Sequence, residues 1–197
     1  HRYRQLLTTG CQTSYVAQAY AGFVHAPKGG LLTLARTSID QHEFRLFHER
    51  GLWYTPAVMD WILHKGVLVT DLTVAGMPIT VLNTHLTANY MGNWTRNNPF
   101  AKQEYTELMQ IAELVNAQPA ERLVIVCGDF NIPRGSWLYD ELLAAAGLVD
   151  PLSGDMRPTF RPYSGMGRHY GAPIDFTLYR APQNLQLNVE AELKFES

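Results

Sequence analysis

The residues with the clearest capacity for chemistry are Asp129 and Asn131, in the motif G-D-F-N at 128–131 that directly follows the apolar run Leu123–Cys127. Side chains two residues apart project from the same side of an extended chain. An ionised carboxylate can bind a hard cation or accept a proton from water, and an amide can donate to a phosphoryl oxygen. A short Asp-x-Asn equally fits an Asx turn that caps a helix near Pro133. Alone, this motif leaves both interpretations open.

Two other motifs favour the catalytic interpretation. N-T-H-L at 83–86 ends another apolar run, and a histidine such as His85 at a strand end can donate to a phosphate or act as an acid. In P-I-D-F at 173–176, Asp175 enters an otherwise apolar run, where a carboxylate is costly unless a cation or a histidine pairs with it. A capped strand end would explain His85 on its own, but the three motifs together indicate a site.

Several familiar sites do not match this sequence. His42 and His48 are six residues apart, whereas two zinc ligands on one helical face are four apart. The sequence has no Gly-x-Ser-x-Gly, so a serine nucleophile of the α/β-hydrolase type is unsupported. Gly165 and Gly167 follow neither the dinucleotide-binding pattern nor the P-loop pattern.

The elements that must position the three motifs mix strands with helices. Predicted strands cover Gly30–Arg36, Gly66–Ala75, Ile79–His85, Leu123–Cys127, Pro173–Tyr179 and Leu185–Phe195, with a hairpin turn at 76–78. Predicted helices cover His1–Thr9, Pro99–Gln118 and Trp137–Ala146, the last ending at Gly147. Asn98 can cap the second helix, whose predicted apolar face holds Tyr105, Leu108, Ala112 and Val115. Mixed sheets covered by helices are the expected architecture.

With these motifs in this order, the chain resembles the endonuclease/exonuclease/phosphatase superfamily of metal-dependent phosphodiesterases. The resemblance rests on N-T-H-L at 83–86, G-D-F-N at 128–131 and I-D-F at 174–176, and it covers about Gly29 to Tyr179. It implies an α/β fold, a four-layered α/β sandwich of two mixed β-sheets flanked by helices. We expect one such domain over residues 1–197.

The resemblance also implies a role for each residue. Asp129 would orient or deprotonate the attacking water and, with Asn131, would bind Mg²⁺, with Mn²⁺ as an alternative. Asn131 would also hold a phosphoryl oxygen. His85 would bind or protonate the scissile phosphate, and Asn83 would be a further substrate-binding residue. Asp175 would orient another catalytic histidine, while the metal would neutralise phosphate charge during in-line displacement.

The sequence departs from the family pattern at both ends. The family carries a metal-binding glutamate in an L-Q-E-like strand end before its first helix and an S-D-H-like motif near its C-terminus, and neither motif occurs in these 197 residues. We therefore expect a fragment that is incomplete at both termini. Such a fragment would bind magnesium weakly and turn over slowly or not at all, and Asp175 would lack its histidine.

Within the superfamily, H-K-G-V at 64–67 is similar to an element of the neutral sphingomyelinase-like branch. Lys65 is therefore a candidate phosphate-binding residue, although a lysine before a strand is most often only solvated. The loop after His85 carries apolar side chains that could rest at a lipid interface, stack on a base or pack over the sheet, namely Tyr90, Met91, Trp94 and Phe100. A peripheral membrane contact is one expectation.

The charge balance ranks the substrates. The chain has 16 Lys+Arg against 18 Asp+Glu, a formal net charge of −2, which offers no global field for a polyanion. Lipids and small phosphoesters therefore rank above nucleic acid. A nuclease would need a basic stripe along its cleft, and the candidate residues are scattered: Arg96, Lys102, Arg134, Arg161 and Arg168. A binding fragment without activity is the third hypothesis. No apolar run approaches the ~20 residues of a membrane-spanning helix.

Overall fold

A computed structural model describes residues 14–17, 30–49, 65–160 and 171–194. Within these ranges the elements are, in chain order, β1 (Ser14–Ala17), β2 (Leu32–Ala35), β3 (Ile39–Leu46), β4 (Gly66–Val74), β5 (Met77–His85), α1 (Pro99–Asn116), β6 (Leu123–Asp129), α2 (Trp137–Ala146) and β7 (Asp175–Arg180). The predicted helix at His1–Thr9 lies outside the described residues, as do Arg161, Gly165, Gly167 and Arg168. One domain over residues 1–197 stays a prediction.

Five strands form a mixed sheet in the order β3-β4-β5-β6-β7. β3, β4 and β5 are successive antiparallel neighbours, β5 and β6 are parallel, and β7 returns antiparallel to β6. The parallel pair requires a long connection, which α1 supplies, whereas the antiparallel pair β4 and β5 needs only a tight turn. The predicted α/β class with a mixed sheet is therefore confirmed.

The two faces of this sheet have different partners. On one face α1 and α2 share a core with alternate strand residues, among them Val69, Leu82, Val126 and Leu178. The two-stranded antiparallel sheet of β1 and β2 lies on the other face. One contact between the two sheets is a hydrogen bond from the Asn83 Nδ2 to the Leu32 carbonyl, at 3.1 Å. These layers match a sandwich of helices, sheet and sheet. The described residues include no second helical layer, and no helix among them is long and apolar enough to cross a membrane.

Capping residues are present at the N-termini of both helices and at the C-terminus of α2. The Asn98 side chain accepts hydrogen bonds from the backbone N–H groups of Phe100 and Ala101, and α1 ends at Asn116, two residues before the predicted end. Ser136 caps the N-terminus of α2, and Gly147 closes it in the left-handed conformation with φ 59°. The predicted span Trp137–Ala146 is confirmed at both ends.

Other sequence-based predictions of secondary structure were wrong. The hairpin turn is Ala75-Gly76, with φ 50° and 82°, so Met77 and Pro78 belong to β5; a two-residue turn of positive φ matches the twist of the strands. Residues 185–194 form no strand. Their alternating Leu187 and Val189 instead line an apolar cavity of about 220 Å³ with β6 and β7. The sequence pattern also missed β3, whose side chains are mostly polar and exposed because it is an edge strand.

The buried face of α1 differs from the predicted one. Leu108, Ala112 and Val115 are buried as expected, whereas Tyr105 is 36% exposed and its ring lies 5.6 Å from that of Trp137. Two glutamates take its place in the interior, Glu104 and Glu107. Because glutamates are scored as polar, an apolar periodicity cannot find them.

Candidate active site

Three of the predicted catalytic residues lie in one row at the end of the sheet where β5 and β6 finish and β7 begins. This end of the sheet is the catalytic edge. His85 is the register partner of Asp129 in the parallel pair, and Asp129 is the register partner of Asp175 in the antiparallel pair. Direct cross-strand partners project from the same face of a sheet. The His85 Nε2 lies 3.8 Å from the Asp129 Oδ2, and both side chains are partly exposed, at 46% and 34%. The fold thus gathers an imidazole and two carboxyl groups within reach of solvent.

Asp129 and Asn131 do not share one extended face, which corrects the geometry expected from their spacing. β6 ends at Asp129, whose Oδ1 accepts the backbone N–H of Asn131 at 2.9 Å, and Asn131 has φ 52°. This is an Asx turn, and asparagine tolerates the left-handed conformation that it requires. The turn does not cap α2, because Ser136 does so. The turn and the candidate site coexist, since the other oxygen of Asp129 faces His85.

The carbonyl of Leu86 joins the two motif loops. It accepts hydrogen bonds from the Asn131 Nδ2, at 2.9 Å, and from the Lys65 Nζ. The backbone N–H of Leu86 donates to the Asp129 carbonyl at 3.0 Å. The residue that follows His85 is therefore tied to the residues on both sides of Phe130, which holds the ends of β5 and β6 together.

The two predicted substrate-binding residues have structural partners. Lys65 is 9% exposed and donates to the Leu86 carbonyl, and Asn83 donates to the Leu32 carbonyl. Their contact with substrate stays a prediction. Asp175 is held through its backbone, because its N–H and that of Ile174 both donate to the Thr159 hydroxyl at 3.0 Å.

Burial and neighbouring charges shift the pKa of Asp129. Burial raises the pKa of its carboxyl above the ordinary value, and the negative charge of Asp175 raises it further. The positive charge of His85 and the N–H of Asn131 act in the opposite direction, as does the charge of Lys65. A carboxylate with a raised pKa is a stronger base, so the site favours proton acceptance by Asp129.

Gly128 is a structural requirement of this part of the sheet that the sequence motifs did not explain. Its φ is 141°, and a Cβ built there would lie 1.9 Å from the Thr84 carbonyl oxygen. Only glycine allows β5 and β6 to approach this closely one residue before His85 and Asp129. The signal was present in the sequence, as the glycine immediately before the aspartate.

The donor atoms at this edge fit magnesium in type but are few. Asp129 and Asn131 offer carboxylate and amide oxygens, the hard ligands that Mg²⁺ prefers, and Mg²⁺ often takes only one or two protein ligands beside waters and substrate phosphate. In the part of the chain that the structure describes, no group of three or more His, Cys, Asp or Glu side chains could hold a metal ion. Asp129 and Asn131 therefore fit magnesium by donor type, and their role as metal ligands stays a prediction.

The sequence profile described as the Endonuclease/Exonuclease/phosphatase family matches residues 3–189. The chain belongs to this family. Among characterised proteins, it is 27% identical over 155 residues to an inositol phosphosphingolipids phospholipase C of Saccharomyces cerevisiae. The matched region covers 73% of this chain and 30% of that protein, so the chain spans less than a third of the length of this relative.

Solved structures of other proteins share the fold. Sphingomyelinase C from Streptomyces griseocarneus superposes with a TM-score of 0.60 at 24% identity, covering 77% of this chain and 52% of that one. Beta toxin from Staphylococcus aureus, in a mutant form with bound magnesium ions, gives 0.63 at 15% identity and covers 86% and 58%. The resemblance to the superfamily and its sphingomyelinase-like branch, expected from the motifs, is confirmed.

Proposed function

We propose that this chain carries the catalytic residues of a metal-dependent phosphoric ester hydrolase that cleaves a phosphodiester of the sphingomyelin type. The observation that carries the proposal is the row of His85, Asp129 and Asp175 at one sheet edge, in a chain of the Endonuclease/Exonuclease/phosphatase family. The phosphosphingolipid named for the yeast relative supports a lipid phosphodiester as the substrate class.

Each residue takes a role that its geometry supports. Asp129 accepts a proton from the water whose oxygen attacks phosphorus, using the oxygen that faces His85. His85 binds the scissile phosphate and gives a proton as the leaving oxygen departs. Asn131 keeps one amide hydrogen beyond the one it gives to Leu86, and that hydrogen can reach a phosphoryl oxygen. That Asp175 orients a further histidine stays a prediction, and Asn83 and Lys65 remain candidates for substrate contact.

Asp129 and Asn131 are the residues that would hold the metal. Mg²⁺, or Mn²⁺ in its place, supplies charge neutralisation for the phosphate when it is bound. Lys65, His85 and the amide of Asn131 add further donors and positive charge beside the two carboxyl groups, which keeps an anionic phosphate compatible with this edge.

Exposed apolar side chains flank the catalytic edge and support contact with a phospholipid surface. Tyr90 and Met91, in the loop after His85, are 51% and 57% exposed. Met156 and Phe160, in the loop that holds Asp175, are also exposed. Trp94 and Phe100, the other two predicted interface residues, pack inside instead. One exposed pair follows His85 in the chain, and the other is in the loop whose Thr159 accepts the Asp175 N–H, so both loops are connected to the site.

Nucleic acid is the less favoured substrate, although the family description includes nucleases. Arg134 is buried and its Nε lies 2.8 Å from the Asp150 carboxylate. Arg96 lies over the Trp137 ring and beside Glu141. Two of the residues that a basic stripe would need are therefore engaged elsewhere in the fold.

The deciding experiment measures Mg²⁺-dependent hydrolysis of sphingomyelin vesicles, supercoiled DNA and an inositol polyphosphate by the whole natural protein. Asp129→Asn is the blank, and Asp140→Asn is the matched control, because Asp140 is exposed on α2. We expect release from sphingomyelin that is lost in the blank and kept in the control. DNA nicking without lipid turnover would favour the nuclease. Inactivity on every substrate would contradict the enzyme proposal.

A further inference from the structure

Two glutamates one helical turn apart on α1 are almost completely buried. Glu104 is 0% exposed and Glu107 is 1% exposed. Carboxyl groups are rarely found at such depth unless hydrogen bonds or a cation compensate for the lost water. Neither residue belongs to the proposed catalytic row, so their burial requires another explanation.

Glu107 holds the segment that follows His85. Its Oε2 accepts the backbone N–H of Thr87 at 3.0 Å, and its Oε1 accepts the Thr87 hydroxyl at 2.6 Å. Gln103 donates to the same Oε1 at 3.1 Å. Burial raises the pKa of the Glu107 carboxyl, while the hydrogen bonds from Thr87 and Gln103 oppose that rise. Glu107 thus fixes the backbone and the side chain of a residue two positions beyond His85.

Glu104 differs from Glu107 in its hydrogen bonding. Burial and the neighbouring charge of Glu107 raise the pKa of Glu104 to about 9, and neither of its oxygens makes a hydrogen bond of normal geometry. It therefore carries a proton at neutral pH. The charge of Lys65 acts on both carboxyl groups and opposes the rise in their pKa. Lys65 is thus a positive charge that both buried carboxyl groups experience.

The Glu107 and Lys65 contacts converge on the candidate active site. Lys65 donates to the Leu86 carbonyl, which also accepts the Asn131 amide, and the Leu86 N–H donates to the Asp129 carbonyl. Leu86 and Thr87, the two residues after His85, are therefore held from the helix side by a lysine and a glutamate.

We propose that Glu107 is a positioning residue of the catalytic edge: its carboxyl group fixes Thr87, the neighbour of Leu86, so that the Leu86 carbonyl, the Asn131 amide and His85 keep their relative places. Glu107 touches no reacting atom in this arrangement. Its kinetic consequence rests on the proposed phosphodiesterase function, whereas its effect on the segment after His85 does not.

The test compares four variants of the whole natural protein. Glu107→Gln replaces one acceptor oxygen with an amide donor, Thr87→Val removes the hydroxyl, and Thr87→Ser restores a hydroxyl at the same position. Glu113→Gln makes the same chemical change as the first at an exposed site of the same helix. For each variant we would measure kcat and KM together with amide hydrogen exchange resolved by peptide.

Glu107→Gln and Thr87→Val should lower kcat about tenfold or more with little change in KM, because misplaced catalytic groups lose rate before affinity. Exchange over residues 86–98 should quicken about tenfold in both, with α2 and β4 unchanged. Thr87→Ser and Glu113→Gln should behave as the wild type.

Faster exchange throughout α2 and β4 would overturn the inference, since Glu107 would then be an ordinary part of the core. Unchanged exchange over 86–98 in Glu107→Gln would overturn it as well. A wild-type protein that hydrolyses no phosphodiester would contradict the proposed function alone, because the exchange pattern still decides what Glu107 holds.

Discussion

The Nε2 of His85 lies 3.8 Å from the Oδ2 of Asp129, and the two residues are register partners at the ends of parallel strands β5 and β6. The contact depends on the register of a parallel pair whose strands are connected through α1. A shift of one residue in either strand would place the two side chains on opposite faces of the sheet. The distance between these two side chains therefore depends on the correct register of β5 and β6.

The pKa of Asp129 should respond in opposite directions to changes at its two neighbours. His85→Gln removes a positive charge that lowers this pKa, so the pKa should rise. Asp175→Asn removes a negative charge that raises it, so the pKa should fall. Carboxyl ¹³C NMR titration of both variants in metal-free buffer measures the two shifts. Shifts of the same sign would contradict the electrostatic arrangement described for this edge.

Gly128→Ala should destabilise the protein and disable the site. The added Cβ would meet the Thr84 carbonyl oxygen, and a positive φ at a residue other than glycine costs about 1–3 kcal/mol by itself. The ends of β5 and β6 must then separate, which moves Asp129 away from His85. Urea unfolding and hydrolysis rates measure both effects. Gly154→Ala is the control, because a Cβ there meets nothing within 4 Å, and equal losses in the two variants would contradict the close-approach argument.

Replacing Tyr90 and Met91 by serine should weaken hydrolysis of vesicles without weakening hydrolysis of a soluble short-chain substrate. The two side chains are exposed in the loop after His85, so their replacement removes apolar surface available to the lipid. Vesicle co-sedimentation and the two hydrolysis rates measure the effect. A matched fall in both rates would show that the loop acts on the site itself rather than on the membrane.

Glu104 should make the stability of the folded protein depend on pH. Its pKa is about 9 in the fold against an ordinary 4.5, so between these values the folded protein binds more protons than the unfolded chain. The contribution of Glu104 to the free energy of unfolding is fully present below its ordinary pKa of 4.5 and is lost as the pH rises toward 9. Glu104→Gln should remove this loss, so the Tm of the variant relative to wild type should increase from pH 5 to pH 8. A constant difference, like that expected for Glu113→Gln, would contradict the buried protonated state.

Parts of the fold and site could be predicted because their signals are local. Capping residues and αL glycines act on the first and last turns of a helix, which explains why α2 was located at both ends. Apolar runs followed by N-T-H-L and G-D-F-N indicated strand ends with chemistry, and His85 and Asp129 do lie together.

The remaining features depend on contacts between distant segments. The polar strand β3 is held by its pairing with β4, which no periodicity within residues 39–46 reveals. The alternation at 185–194 indicated a strand, but its backbone forms no strand and its apolar side chains line a cavity with β6 and β7. Asn131 is not extended because its backbone N–H donates a hydrogen bond to the Asp129 carboxylate.

The amino-acid sequence by itself determined the chemical types at the site, the family, the start of α1 and both limits of α2, because motifs, caps and apolar runs act within a few residues. Only the tertiary structure decided that Asp175 stands in register with Asp129, that Gly128 permits the close approach of two strands, and that Glu104 and Glu107 lie in the interior. The physical reason is that register, backbone approach and desolvation are properties of packed neighbours, and the neighbours of each residue come from other elements of the chain.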